Sequence, residues 1–308
     1  MTQDNNQKPN NSLLNRWQNG QLRESKFATN FALTIFLLLA IACAYLIIGR
    51  ANSATQINRD AQKLVDEVAA NGLDYYFGNQ NHLSFYFIIN DNTTVGYLID
   101  SITPILKDDK ISYQGQSIYR IFSDNSSWQT QWNIANDLST FNATQIVKEN
   151  KSLYQTKQTM KNGKIKIDGQ TTRKYLGPVT VTIDQYPGLI PYFMEDFFIS
   201  IAAGRENVKF TYLHGNPKIR YFIEPVIFTA GPGGNVPADI QDQFPDSHSA
   251  EFEMAGFTMD MLFNANNILL WQKTNKTTIT SVKYEQIAQQ FGPTFIQDLQ
   301  TLGISPNP

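Results

Sequence analysis

Few side chains in this sequence have the types and spacing that catalysis or metal binding requires. The three histidines, His82, His214 and His248, are far apart in the chain, and each lies next to residues typical of turns. Metal sites combine ligands at helical or strand spacing, such as two histidines on one helix face, and no such pair occurs. The sequence therefore predicts three histidines in surface turns and no metal site.

Glu195 and Asp196 are adjacent carboxylic acids at the start of a predicted helix. A pair of carboxyl groups can act as general acid and base. Acidic residues in a first helical turn also interact favourably with the helix dipole. We expect this second, structural role for Glu195 and Asp196.

Two common patterns of enzyme sites are absent from the sequence. The segment Gly231-Pro232-Gly233-Gly234 is followed by Asn235, whereas phosphate-binding loops need a Lys and a Ser or Thr after the glycines. The G-x-S-x-G motif of serine hydrolases does not occur. We therefore predict no catalytic, cofactor-binding or metal-binding residues and a non-enzymatic protein.

Composition excludes two further classes. The 308-residue chain has a formal net charge of −2 and no cluster of arginines, whereas nucleic-acid-binding proteins carry a basic patch. We therefore expect no nucleic acid as a partner. Cys43 is the only cysteine, which excludes a disulfide framework and a cysteine nucleophile in the remainder of the chain.

The run of residues 27–49 contains no charged side chain, and it determines where the rest of the chain lies relative to a membrane. A helix needs about 20 mostly apolar residues to cross a bilayer, so this run predicts a transmembrane helix. Residues 1–26 are rich in Asn and Gln, and we expect a disordered polar tail. Lys and Arg near the ends of the span slightly favour a cytoplasmic N-terminus. The prediction is a single-pass protein of the cell membrane, with its C-terminal domain outside the cytoplasm.

Two alternatives to a permanent anchor remain open. The small residues Ala51-Asn52-Ser53 could be cleaved by a signal peptidase, although 26 residues form a long polar front for a signal peptide. Cys43 follows Ala40-Ile41-Ala42 as in a lipoprotein acylation site, but the apolar run continues beyond it. An uncleaved anchor fits the length of the tail and of the run best.

Residues 50–72 have the pattern of an amphipathic stalk helix. Ile57, Ala61, Leu64 and Val68 recur on one face, and Gly72 permits a helix end. This apolar stripe could pack against the protein's own domain or against a second copy. We favour its own domain because a coiled coil needs a longer repeat.

Residues 73–282 alternate between apolar and polar types, with turn residues such as Asn162-Gly163 between the runs. We predict an α+β, mainly antiparallel β domain, in the form of a curved sheet or half-open barrel with one packed helix over 192–203. Residues 283–308 should form short C-terminal helices and a frayed end. Helix 192–203 presents an apolar face that either packs in the core or lines a site for an apolar ligand; its residues are Phe193, Phe197, Phe198 and Ile201.

The stretch from Phe85 to Tyr97, F-Y-F-I-I-N-D-N-T-T-V-G-Y, resembles a hairpin of bacterial exported β-rich domains, some of which carry or neighbour transglutaminase-like domains. Asn90, Val95, Gly96 and Tyr97 carry the resemblance. It implies an exported β domain, but no transglutaminase activity, because the Cys-His-Asp set is absent. More distantly, many antiparallel strands with one apolar helix resemble the half-open barrels of lipoprotein-sorting carriers.

Together these features predict a membrane-anchored, extracytoplasmic β-rich protein that binds or scaffolds a partner, either a protein or a lipid. One alternative is a carrier of a lipid or other apolar ligand in a cavity of the curved sheet. Another is a hydrolase whose site is not visible in the sequence.

The orientation can be tested with reporters fused after Pro308. Because we place the C-terminal domain outside the cytoplasm, a reporter active only there should be active, and one active only in the cytoplasm should be silent. Reporter activity in intact cells measures this directly. The opposite pattern would refute the predicted localisation.

Overall fold

The computed structural model describes residues 59–149, 152–172, 174–215 and 223–305. The predicted tail over 1–26, the membrane helix over 27–49 and the first residues of the stalk helix lie outside this part. Within the described ranges, no helix is both long and apolar enough to cross a membrane.

One mainly antiparallel sheet of fourteen strands forms the described domain. The strands, in chain order, are β1 His82–Asn90, β2 Thr93–Lys107, β3 Lys110–Ile121, β4 Ser126–Ala135, β5 Phe141–Glu149, β6 Ser152–Lys161, β7 Lys164–Thr171, β8 Tyr175–Thr182, β9 Val208–Gly215, β10 Ile223–Pro232, β11 His248–Met254, β12 Phe257–Phe263, β13 Leu269–Lys273 and β14 Thr277–Val282. Strands β1–β8 and β9–β14 are two meanders, joined by pairing of β1 with β14.

The sheet is curved and does not close, because its edge strands β8 and β9 do not pair with each other. Register shifts in β1, β7 and β12 mark bulges, which bend and twist a sheet. The curvature brings the two ends together: Gln158 Nε2 of β6 donates a 2.9 Å hydrogen bond to the carbonyl oxygen of Leu213 in β9. The mainly antiparallel, curved sheet agrees with the sequence prediction.

Turn residues explain the tight hairpins. Asn162 and Gly163 have φ values of 52° and 68°, as a two-residue turn between twisted strands requires. Asp91 and Asn92 take the same left-handed conformation between β1 and β2, at 47° and 64°.

The helices are short except at the C-terminus. They are α1 over 59–71, α2 Leu73–Phe77, α3 Glu195–Ala202, α4 Ala238–Gln243 and α5 Tyr284–Thr301, with 3-10 turns at Ile183–Gln185 and Tyr192–Met194. Residues 73–77 form α2, whereas the sequence analysis begins the β domain at residue 73. The helix expected over 192–203 begins as a 3-10 turn, and α5 is interrupted at Gly292, whose φ is 42°.

The main core lies between the concave face of the sheet and helices α1, α2 and α3. From α1, the buried side chains of Ala61, Leu64 and Val68 enter this core. Phe198 of α3 begins a series of ring contacts that passes through Phe210 and Phe228 to Phe252, with centroid distances of 5.5, 5.5 and 5.1 Å. Since each such aromatic side chain buries a large apolar area, this series holds α3 on the sheet.

Helix α5 packs on the opposite face of β1–β3 and forms a second core with buried Tyr97, Ile99, Phe295 and Leu299. Asp298 anchors the helix. The Tyr97 hydroxyl donates a 2.6 Å hydrogen bond to Asp298 Oδ2, and Arg120 donates to both carboxylate oxygens at 2.7 and 2.6 Å. A bidentate pair of this kind fixes geometry as well as charge.

Replacing Asp298 with Ala should lower the free energy of unfolding by about 3 kcal/mol, because Arg120 would keep a largely buried charge without its partner. Tyr97→Phe removes one hydrogen bond and should lower it by about 1 kcal/mol. Urea unfolding of the purified protein measures both. The exposed neighbour Gln297→Ala is the control, and an equal loss in Asp298→Ala and Gln297→Ala would contradict the anchoring role of Asp298.

Candidate ligand-binding cavity

A cavity of about 530 Å³ lies between the concave face of β1–β5 and the segment that contains the 3-10 turn Tyr192–Met194 and the start of α3. The turn between β12 and β13 closes one side with Asn267, Ile268 and Leu269. The main core therefore does not fill the space beneath α3 completely.

Strand register explains the floor of the cavity. Residues directly opposite each other in antiparallel strands face the same side of a sheet. Asp100 of β2 lies opposite Ser117 of β3, Ser117 opposite Thr130 of β4, and Thr130 opposite Gln145 of β5. These four residues form a polar row across the floor, and all four line the cavity.

Apolar and aromatic rows flank the polar row. On one side, Leu98, Tyr119 and Trp128 are in register, and the rings of Tyr119 and Trp128 make an edge contact at 5.1 Å. On the other side, Ile102 of β2 and Trp132 of β4 each lie opposite Gly115 of β3. The floor is therefore a polar stripe between two apolar walls.

Gly115 makes room for the Trp132 ring. A Cβ atom at this position would overlap the indole. With glycine there, Trp132 lies over β3 and stacks on Phe193 with a centroid distance of 4.9 Å and an interplanar angle of 19°. This stack connects the floor of the cavity to its roof.

The apolar face predicted for helix 192–203 divides into two groups. Phe193 and Phe197 line the cavity, and Phe197 also packs on Phe77 at 4.8 Å. Phe198 is fully buried against Phe210, and Ile201 is half-buried against the main core. The 3-10 turn explains part of this division, because its three residues per turn rotate Phe193 relative to its position in a continuous α-helix.

Three carboxylic acids line the cavity, Asp100 from the floor and Glu195 and Asp196 from the roof. Burial raises the pKa of Asp100 to about 7, and the neighbouring charge of Asp196 adds to this effect. Burial, with a contribution from Asp196, raises the pKa of Glu195 to about 8. Burial alone raises the pKa of Asp196 to about 6.

Asp196 is the most accessible of the three carboxylic acids. Solvent therefore reaches the Asp196 side chain more than the other two, and its pKa is raised less than that of Glu195. From the sequence, Glu195 and Asp196 are expected only to interact with the helix dipole. Both residues do lie in the first turn of α3, but they also face this cavity with raised pKa values.

Tyr192 contributes an unpaired polar group to the roof. Its hydroxyl is buried and has no hydrogen-bond partner in the part of the chain that the structure describes. Burial also raises its pKa. Buried polar groups in proteins nearly always have a partner, so this hydroxyl is an exception at the cavity wall.

The three histidines lie in strands and are partly buried, so the predicted positions in surface turns are wrong. His248 Nε2 is 2.8 Å from the Ser200 hydroxyl, which donates a 2.9 Å hydrogen bond to Asn267 Oδ1. Burial lowers the pKa of His248. This chain of contacts holds Asn267 at the cavity, and no pattern in the sequence connects its three members.

No group of three or more His, Cys, Asp or Glu residues in the described ranges is arranged to hold a metal ion. The three cavity carboxyl groups therefore do not converge on a single cation-sized point. What they have in common is one cavity and one sign of charge.

No protein-family model matches the chain, and no curated protein matches it in sequence. Among solved structures, it is similar to the crystal structure of a β-barrel-like protein of a domain of unknown function, DUF1849, from Brucella abortus. The sequences are 10% identical, the match covers 67% of this chain and 97% of the other, and the TM-score is 0.42. The likeness to transglutaminase-associated and lipoprotein-sorting proteins stays a prediction.

The raised carboxyl pKa values predict how stability depends on pH. In the folded protein Asp100 and Glu195 hold protons that the unfolded chain releases above about pH 4 to 5, and they release them only near pH 7 and 8, so the free energy of unfolding should fall as the pH rises from about 4 to about 8. His248, with its lowered pKa, acts in the opposite direction below about pH 6.5.

Urea unfolding at a series of pH values from about 6.5 upward measures the effect of the carboxyl groups with little interference from His248. The double variant Asp100→Asn, Glu195→Gln should have a flatter pH dependence than the unmodified protein. Asp242→Asn, an exposed carboxylate of α4, is the control and should leave the slope unchanged. An unchanged slope in the double variant would show that the two buried acids do not cause the effect.

Proposed function

We propose that this protein is a non-enzymatic binding protein that holds a small amphipathic organic ligand in the cavity beneath α3. The observation that carries the proposal is the cavity itself, about 530 Å³ within a domain whose remaining interior is packed with aromatic side chains. Pockets for small molecules have volumes of about 300 to 1,000 Å³ and are mostly apolar with a few placed polar groups.

The composition of the wall favours an amphipathic ligand over a purely apolar one. A hydrocarbon ligand would cover the rows that contain Trp128 and Trp132, but it would also remove water from Asp100 and the polar row without replacing the lost hydrogen bonds. Burying a charged group that has no partner costs roughly several kcal/mol. A ligand with a polar end and an apolar body satisfies both parts of the wall.

Two observations support binding without catalysis. Ser200 is 2% exposed, and its hydroxyl donates to Asn267, so its proton is not directed to His248 as in a serine hydrolase. The cavity itself is lined by no histidine, cysteine or lysine in the described part of the chain. These residue types are common general bases and nucleophiles, and none of them accompanies the three carboxyl groups of the cavity.

We place the binding domain outside the cytoplasm, in a protein that residues 27–49 are expected to anchor in the membrane. A partner protein would then receive or supply the ligand, which combines the binding and the carrier hypotheses.

A cavity-filling variant tests the proposal. Thr130→Trp adds an indole to the polar row, whereas Gln131→Trp adds the same group at an exposed position on the other face of β4. The full-length protein, purified in lipid nanodiscs, is extracted with organic solvent, and small molecules are identified by mass spectrometry. We expect a molecule that the unmodified protein and Gln131→Trp retain and that Thr130→Trp has lost.

Matched thermal melts of the two variants establish that Thr130→Trp has folded. Because both variants contain the same added side chain and the same nanodisc lipids, background binding cancels in the comparison. Equal retention by Thr130→Trp and Gln131→Trp would refute binding in this cavity.

A further inference from the structure

The cavity contains negative charge without positive charge. Asp100, Glu195 and Asp196 line it, and no lysine, arginine or histidine does so among the residues that the structure describes. The charge of Asp196 acts on both Asp100 and Glu195. Asp100 and Glu195 are half-buried beside the like charge of the exposed Asp196, so ionising all three acids is unfavourable unless a positive charge joins them.

The helix dipole and the backbone N–H groups of the protein do not supply that positive charge. Glu195 and Asp196 lie in the first turn of α3, where the positive end of the helix dipole favours ionised carboxylates. Burial outweighs the dipole, since both pKa values remain raised. The backbone N–H of Ser101 is the hydrogen-bond donor that favours ionised Asp100. The balancing charge must therefore come from protons or from a ligand.

The aromatic walls suit an organic cation. Tyr119 and Trp128 line the cavity beside the row that contains Asp100, whereas the Trp132 ring on the other side lies between Gly115 and Phe193. Aromatic faces attract ammonium groups, and Trp does so most strongly. Because the carboxyl groups are not arranged around one metal-sized point, a cation with its charge spread over a bulky group fits better than a bare metal ion.

Tyr192 supplies an observation that is independent of the acids. Its buried hydroxyl at the roof lacks a partner in the described ranges. The phenol oxygen is a hydrogen-bond acceptor as well as a donor. A polar occupant at this wall would satisfy a group that the protein alone leaves unpaired.

We propose that the ligand of this cavity is an organic cation, an amine or quaternary ammonium compound with an apolar body, whose positive charge lies among Asp100, Glu195 and Asp196. The inference rests on the proposed binding function and specifies the ligand class. The aromatic rows enclose the apolar body, and the polar row accommodates the region around the charge. Binding of the cation favours ionised carboxylates, so it releases protons at neutral pH.

Three small probes of similar size test the preference for charge: benzyltrimethylammonium, benzyl alcohol and phenylacetate. Their affinities are measured by calorimetry on the full-length protein in phosphatidylcholine nanodiscs. We expect benzyltrimethylammonium to bind about tenfold or more tightly than benzyl alcohol, and phenylacetate to bind more weakly than both. Since benzyltrimethylammonium has no ionisable proton, proton release measured in two buffers of different ionisation enthalpy reports on the protein alone.

Two variants that keep the size of the side chain, Asp100→Asn and Glu195→Gln, remove one negative charge each. Each should weaken benzyltrimethylammonium binding about tenfold and reduce proton release, and each should change benzyl alcohol binding much less than benzyltrimethylammonium binding. The exposed control Asp242→Asn should change none of these quantities. Thr130→Trp should abolish binding of all probes.

The outcomes separate the two proposals. If benzyl alcohol binds and Thr130→Trp abolishes its binding, but benzyltrimethylammonium binds no more tightly and Asp100→Asn has no effect, the cavity binds ligands and the inference of a cationic ligand is wrong. If no probe binds, or if Thr130→Trp leaves the binding of every probe unchanged, the proposed binding function is overturned together with the inference.

Discussion

The structure depends on covering the concave face of one large sheet. Fourteen strands in a single layer present two faces, and no disulfide can hold the layer closed because the chain has a single cysteine. The segment between β8 and β9 returns across the concave face, and the ring contacts of Phe197 with Phe77 and of Phe198 with Phe210 attach α3 there. Burial of these aromatic groups is the main favourable term available to hold the two meanders around one interior.

The same covering segment creates the cavity. Its 3-10 turn and the first turn of α3 lie over strands β1–β5 but do not fill the space between them and the strands. The Phe193 ring stacks on the ring of Trp132. Under this roof the polar row from Asp100 to Gln145 is half-buried and lines the cavity. The acids of α3 thus line the same cavity as the acid of β2, and burial, together with the like charge of Asp196, raises the pKa of Asp100. A structural element that stabilises the fold therefore also determines the electrostatics of the candidate site.

On the opposite face of the sheet, α5 is anchored in part by Tyr97, one of the residues that carry the predicted resemblance to exported β-rich domains. Gly96 has no space for a side chain because the carbonyl oxygen of Arg120 lies against it, and Tyr97 donates its hydroxyl proton to Asp298. Val95 packs at the edge of the main core. Packing and the anchoring of α5 thus explain Val95, Gly96 and Tyr97 of the predicted resemblance, and none of the three lines the cavity.

Local patterns in the sequence were sufficient for the antiparallel β class, for the Asn162-Gly163 turn and for an apolar helical segment near residue 197. These features depend on side-chain period and backbone conformation, which neighbouring residues determine. The division of the predicted face into Phe193 and Phe197 at the cavity and Phe198 and Ile201 in the core could not be predicted, because it depends on a 3-10 turn and on which strands lie beneath it. The expected helix-dipole role of Glu195 and Asp196 was incomplete for the same reason. Asp100 is almost 100 residues away in the chain, and only strand register and the returning α3 bring the three acids, the polar row and the aromatic walls into one space.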